Sequence, residues 1–186
     1  MGVLLRRSLE EAAVVDFQGY SYFVHPLTDG IPAIEAALLD EVVDEALQVV
    51  DVQGLDRIVT VEAMGIPLAT ALSLATDVPV SVIRKRKYGL PGETEIGQRT
   101  GYSKGKLYLN GLQKGDRVLF VDDVISTGGT LGPLLLAFRD AGIQVKDILV
   151  VIEKGDGRAR IEKDHGVRVK TLARIEVRDG RVHVLD

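Results

Sequence analysis

Cysteine is absent from all 186 residues. Its absence excludes disulfides, thiolate zinc sites and a cysteine nucleophile together, and it fits a reducing cytosol. A basic excess is absent too. The 23 Lys and Arg face 27 Asp and Glu, for a net charge of −4, whereas a dedicated nucleic-acid binder would be basic. No unbroken apolar stretch opens the chain. In MGVLLRRSLEEAAVV the arginines and glutamates interrupt what would be a signal core or membrane span, and Arg6 stands where N-myristoylation needs Ser or Thr. Repeats, low-complexity tracts and linkers are missing as well. These exclusions leave a cytoplasmic globular protein, at this length one domain over 1–186.

What is present alternates between two periods. The stretch 33–52 carries Leu38, Val42, Ala46 and Val49 on one face with carboxylates opposite, an amphipathic helix. IPLATALSLAT (66–76) is a second helix, with Pro67 tolerated in its first turn, and TLGPLLLAFRDAG (130–142) a third, ending at Gly142. Short β-branched runs at 56–61, 78–83, 116–123, 147–153, 167–177 and 181–186 predict strands, the last two joined by the turn RDG. Strands alternating with helices imply an α/β fold with a mostly parallel sheet covered on both faces. KLYLN (106–110) falls between strands without a helix and suits an antiparallel edge or a hood. The stretch 84–105 has no apolar period and reads as a long loop, and such loops are usually functional. Ligands of such folds bind at the carboxyl ends of the strands. Glu62, Arg84, Asp122, Asp123 and Lys154 all fall there, at one rim.

The chemistry concentrates in VLFVDDVISTGGT (118–130). A buried run ends in two carboxylates and then enters a loop of glycine and hydroxyls that leads into a helix. Backbone N–H groups at such a junction cradle anions, and the helix dipole reinforces them. Ser126, Thr127, Gly128, Gly129 and Thr130 therefore form a phosphate site. Asp122 and Asp123 repel phosphate but accept from hydroxyls, or help to hold a divalent cation. Phosphate beside a diol describes a ribose 5-phosphate. A P-loop is excluded, because no lysine follows the glycines.

VDDVISTGGT resembles the PRPP-binding motif of the type I phosphoribosyltransferases, which act on 5-phosphoribosyl 1-pyrophosphate (PRPP). The likeness extends over roughly 50–177. It implies that family's fold, a mostly parallel central sheet flanked by helices with a small hood, here about 1–33. It also implies that Asp122 and Asp123 hold the ribose hydroxyls and that 126–130 hold the 5-phosphate. VEAMG (61–65) looks like the family's pyrophosphate loop, which assigns Glu62, Ala63, Met64 and Gly65 to the leaving group. IRKRKYGLPGET (83–94) is similar to a stretch of the adenine phosphoribosyltransferases, where Arg84 and Lys85 would face pyrophosphate. The implied cofactor is Mg²⁺, met by Asp122 and Asp123 only indirectly, through PRPP. A loop at about 86–105, with five glycines, would close over the site and exclude water. The implied partners are PRPP and a free purine base, with nucleotide and pyrophosphate as products and a homodimer as the assembly.

The base is read from mixed signals. LPGET and TGGT resemble the adenine enzymes. The place of their loop carboxylate reads YSKG (102–105) here, and the Asp that hypoxanthine/guanine enzymes carry before Thr-Gly is Ser126. Lys154 lies about thirty residues past Asp123, where the hypoxanthine/guanine enzymes carry a lysine that donates to the purine 6-oxo group. A lysine only donates, which suits a carbonyl and mismatches an amino group. Val124 would pack on the purine ring or in the sheet core. Glu93 and Glu62 are the carboxylates available for proton handling, and His25, His165 and His183 read as structural. The blend, with YFVHPLTDGIP (22–32) as hood, resembles the small archaeal enzymes with hypoxanthine/guanine activity. The adenine activity is the alternative. Orotate transfer lacks its Lys-x-His-Gly run, a PRPP-sensing regulator lacks a DNA-binding module, and an inactive subunit would be expected to have lost the phosphate loop.

Overall fold

The computed structural model describes residues 1–17, 19–99 and 104–185. The chain opens with α1 (Val3–Glu10), β1 (Ala13–Phe17), β2 (Tyr20–Val24), α2 (Pro26–Asp29) and α3 (Ala36–Val49). It continues with β3 (Arg57–Val61), α4 (Gly65–Thr76), β4 (Val80–Ile83), β5 (Thr94–Arg99) and β6 (Lys104–Leu109). β7 (Arg117–Ile125), α5 (Leu131–Ala141), β8 (Gln144–Lys154), α6 (Gly157–His165), β9 (Lys170–Arg178) and β10 (Arg181–Val184) follow. Six strands form the central sheet in the order β10-β9-β8-β7-β3-β4. All neighbours in it run parallel except the hairpin pair β9–β10. No helix among the described residues is long and apolar enough to cross a membrane.

The period of two along β7 sorts the core into two faces. Leu119 and Val121 join Ile58, Leu149 and Val151 beneath α1, α3 and α4. Val118 and Phe120 join Val59 and Val150 beneath α5, where Leu134 and Phe138 are buried. Both faces of the middle strands are apolar, so these strands can only be central. Between its two ends β7 is apolar, and past Arg117 its polar positions are Asp122 and Asp123, toward the carboxyl end.

Several sequence expectations are corrected. The stretch 84–105 is not one loop. Its second half enters the antiparallel hairpin β5–β6, with Ile96 opposite Leu107 and both buried against α5's face of the core. β5 (TEIGQR) carries a single large apolar residue, so its period of two is invisible in sequence. KLYLN accordingly belongs to this separate hairpin, tied to the central sheet by a bridge between Arg84 and Tyr108, and is neither an edge of the main sheet nor a hood. Tyr102 and Ser103 of YSKG lie outside the described residues. Val49 is 41% exposed rather than part of α3's buried stripe, which is Leu38, Val42, Val43 and Ala46. Helices α1 and α6 were not anticipated. GRARIEKDH buries only Gly157 and Ile161, too little to show a stripe.

His25 staples the β1–β2 hairpin to α1. Its Nδ1 accepts the Leu27 N–H at 3.2 Å, capping α2, and its Nε2 lies 2.9 Å from Ser8 Oγ. Burial lowers its pKa to about 4, against a smaller upward pull from Asp29. The folded pKa is thus below the unfolded one, so His25 contributes stability above pH 6.5 that is lost as pH falls toward 4. At roughly 1.4 kcal/mol per pH unit the window is worth roughly 3 kcal/mol. Urea melts of wild type and His25→Gln should diverge with rising pH between 4 and 6.5. A constant gap would exclude the titration.

Candidate active site

The carboxyl ends of β3, β4, β7 and β8 share one rim of the parallel sheet. Asp122 and Asp123 sit near the carboxyl end of β7, after the buried run Val118–Val121. Asp123 N–H donates to Asp122 Oδ1 at 3.1 Å. Burial pushes Asp122 up to about 6, only partly offset by hydrogen bonds with Asp123 and by Lys85. Asp123 is driven well above the usual carboxylate range, first by burial, then by Asp122's charge and more weakly by Asp29's. Two carboxylates in contact cannot both ionise cheaply, so each holds its proton more tightly than a free carboxyl does.

The loop 126–130 follows directly, and α5 starts at Leu131 with its amino end at the loop. Gly128 has φ +75°, and a Cβ there would lie 2.7 Å from Ile161 Cγ1. Both facts require glycine. Gly157 N–H donates to the Ser126 carbonyl at 2.9 Å, and Gly129 N–H lies 3.3 Å from Thr127 Oγ1. The unanticipated α6 is therefore the buttress of the phosphate-shaped loop.

A pocket of about 110 Å³ opens between this rim and the β1–β2 hairpin. Asp122, Asp123, Val124 and all of 126–130 line it from below, Lys154 from β8, and Tyr20, Tyr22, Phe23 and Thr28 from above. Val124 lines the pocket and packs against the core. Lys154 Nζ donates to the Ser21 carbonyl at 2.6 Å and to Tyr20 Oη at 3.0 Å, and lies 4.2 Å from the Tyr20 ring centroid. Tyr20 Oη is in turn 3.1 Å from Ser126 Oγ. Tyr20 escaped the sequence reading, whose hood motif began at Tyr22. The cluster YSYF was its one visible signal.

Other expected residues stand beside this pocket rather than in its wall. Glu62 Oε2 lies 2.7 Å from Arg84 Nε, an ion pair in which that N–H is not aimed at the carboxylate. Its Oε1 accepts the Lys85 N–H. Glu62 thus clamps the end of β3 to the end of β4. The Glu62–Ala63 peptide is cis. Ala63 is exposed, Met64 half-buried, and Gly65 packs so closely that a Cβ would lie 3.1 Å from Asp122 Oδ1. Glu93 is engaged elsewhere. It accepts from Asn110 Nδ2 at 2.9 Å and from the N–H groups of Tyr88 and Gly89, and the Asn110 bond leads in holding it below the usual range. The three histidines gather with no metal site among the described residues.

The family model described as "Phosphoribosyl transferase domain" matches residues 33–177. Among curated proteins, the chain is 58% identical to the hypoxanthine/guanine phosphoribosyltransferase of Methanosalsum zhilinae, over 95% of this chain and 92% of the relative. It is 54% identical to the enzyme of that name from Methanocaldococcus infernus, over 96% and 97%. Among solved structures, the adenine phosphoribosyltransferase of Rhodothermus marinus is similar with a TM-score of 0.74 at 26% identity, over 93% and 99%. The Trypanosoma brucei adenine enzyme, solved with AMP, pyrophosphate and ribose-5-phosphate, reaches 0.75 at 16% identity, over 93% and 80%, which is a likeness of fold.

Proposed function

This chain belongs to the phosphoribosyltransferase family, and from that premise we propose that it moves the 5-phosphoribosyl group of PRPP to N9 of hypoxanthine or guanine, releasing pyrophosphate. One observation carries the choice of base. Lys154, a pure donor, shares a pocket with the Asp pair and the phosphate loop. A donor there matches a 6-oxo group and leaves an amino group unpaired. The names of the archaeal relatives support the same reading. The adenine alternative rests on the likeness of LPGET and TGGT to the adenine enzymes, and Glu93 of LPGET accepts from the Gly89 N–H and Asn110 Nδ2.

In this reading 126–130 grip the 5-phosphate through backbone N–H groups and the hydroxyls of Thr127 and Thr130. Asp122 and Asp123 accept from the ribose hydroxyls, and their negative charge favours the cationic sugar that forms as C1 loses its leaving group. Arg84 and Lys85, with the turn 62–65, receive the charge that builds on pyrophosphate, and Glu62 sets the angle of Arg84. The domain assignment over 1–186, with its hood and its closing loop, belongs to the same proposal. So do a cytosolic setting, which the cysteine-free chain supports, and a homodimer, which rests on the resemblance alone.

Two carboxylates with no third protein ligand among the described residues fit Mg²⁺ held largely by substrate phosphates and water. Mg²⁺ bound in that way would neutralise charge on the leaving group. EDTA should therefore abolish turnover and excess Mg²⁺ restore it; unchanged rates in EDTA would remove the metal from the scheme.

The direct test supplies PRPP and Mg²⁺ with adenine, hypoxanthine, guanine, xanthine or orotate in separate reactions and follows nucleotide formation. Hypoxanthine and guanine should react. Turnover of adenine alone would overturn the choice of base. Lys154→Ala should lower kcat/KM for hypoxanthine by about 10- to 100-fold, the cost of about 1.5–3 kcal/mol for a charged hydrogen bond. An equal loss with every base would make Lys154 structural.

A further inference from the structure

The proposed reaction leaves a proton unaccounted for. When N9 of a neutral purine forms its bond to C1 and the C1–O electron pair departs with pyrophosphate, the imidazole proton, carried on N7 in the attacking tautomer, must leave the base. Carboxylates are poor candidates in this pocket. Asp122 and Asp123 face the ribose in this reading, Glu62 is locked to Arg84 and the Lys85 N–H, and Glu93 to its turn. What stands beside Lys154 is a chain of hydroxyls. Lys154 Nζ is 3.0 Å from Tyr20 Oη, and Tyr20 Oη is 3.1 Å from Ser126 Oγ.

Resting on the oxopurine reading, we infer that Tyr20 is a catalytic residue whose hydroxyl takes the N7 proton while the neighbouring Lys154 ammonium holds the 6-oxo oxygen. N7 and O6 lie side by side on one edge of an oxopurine. Two adjacent side-chain heads, one a fixed donor and one able both to give and to accept, complement that edge. The step balances as a relay. Tyr20 Oη receives the N7 proton as its own passes to Ser126 Oγ, and the Ser126 proton passes to solvent. The protein's protonation is the same before and after.

The surroundings favour the role. Burial alone would raise the Tyr20 phenol, but the bond with Ser126 and the bond and charge of Lys154 together outweigh it and leave the phenol below its ordinary value. The other titratable groups facing this pocket are Asp122 and Asp123 from β7 and Tyr22 from β2, and Tyr22 donates to Asp29 of α2 at 2.7 Å. Lys154 Nζ has three N–H donors and gives two of them to the Ser21 carbonyl and Tyr20 Oη, which leaves a third for a 6-oxo group.

Tyr20→Phe keeps the ring and its contact with Lys154 and deletes only the hydroxyl. With hypoxanthine, PRPP and Mg²⁺, kcat should fall about 100-fold, the lower range for loss of a general base, and its pH dependence should flatten. A role in stacking alone would leave the pH profile in place. A second measurement needs no turnover. Wild type should bind inosine monophosphate about tenfold more tightly than its 7-deaza analogue, one hydrogen bond's worth, and Tyr20→Phe should bind the two alike. If Tyr20→Phe folds poorly, Ser126→Ala, which leaves the hairpin intact, should reproduce the fall in kcat. Unchanged kcat, or an undiminished preference for the nucleotide over the 7-deaza analogue, overturns the assignment. Wild type that uses neither hypoxanthine nor guanine overturns the oxopurine reading instead, so the two failures are distinct.

Discussion

Asp123→Asn will cost phosphoribosyl transfer about two to four orders of magnitude and will leave the ligand-free fold more stable at neutral pH. The first effect comes from the ribose. Two hydrogen bonds to an ionised carboxylate at about 1.5–3 kcal/mol each, at about 1.4 kcal/mol per decade, give that range. The second comes from the fold. Asp122 titrates at about 6 and Asp123 well above the usual range, both because burial disfavours the charge. Their folded pKa values are raised, so the folded state binds more protons than the unfolded chain above the ordinary carboxylate value. Stability is then lost as pH climbs from near 4 through the raised values. Asn is a permanent copy of the protonated form. The melting temperatures of variant and wild type should coincide near pH 4 and separate by pH 8, with Asn higher. Steady-state kinetics and melting at those two pH values check both halves; near-normal turnover removes the ribose role, and a lower Tm at pH 8 removes the electrostatic account.

Gly65→Ala will damage fold and catalysis together, and Thr60→Ala will repair much of the fold. A Cβ on Gly65 would sit 2.0 Å from Thr60 Oγ1, 3.1 Å from Asp122 Oδ1 and 3.3 Å from the Val121 carbonyl. All three neighbours belong to adjacent central strands, so none can retreat. Overpacking of this kind costs about 1–3 kcal/mol, or roughly 2–12 °C in Tm for a chain of this size. Whatever shift does occur presses on Asp122, so KM for PRPP should rise as well. Thr60 is fully buried, and its hydroxyl has no hydrogen-bond partner among the described residues. Removing that hydroxyl relieves the shortest contact and leaves the two longer ones. The double variant should therefore melt well above Gly65→Ala, a non-additive pair in direct contact. Additive losses would show that the clash lies elsewhere.

The contrast between these residues and Tyr20 reflects how far each constellation reaches along the chain. Asp122 to Thr130 are contiguous, and each demand on them is local: apolar residues until the strand leaves the core, then carboxylates, then glycine where φ turns positive. The alternation of strands and helices is local in the same sense, and it led to a parallel sheet with its site at the carboxyl rim. Lys154 was legible because it ends the next strand, at a spacing set by one helix and one crossover. The hairpin β5–β6 and α6 were not legible, since each buries one or two apolar side chains and leaves no period to detect.

The sequence alone therefore determined the family, the parallel sheet and the run 122–130 at its rim, because the requirements on that run act within a single strand-loop-helix unit. The tertiary structure alone decided what stands opposite that run and what Lys154 touches. Tyr20 meets Lys154 across 134 residues and Ser126 across 106, and Glu62 is spent on Arg84 while Glu93 is spent on Asn110. Which polar group satisfies which is settled by strand order and by where the amino-terminal hairpin comes to rest on the sheet. Those are long-range packing outcomes, and a hydrogen bond closed over a hundred residues leaves no pattern in the residues that flank it.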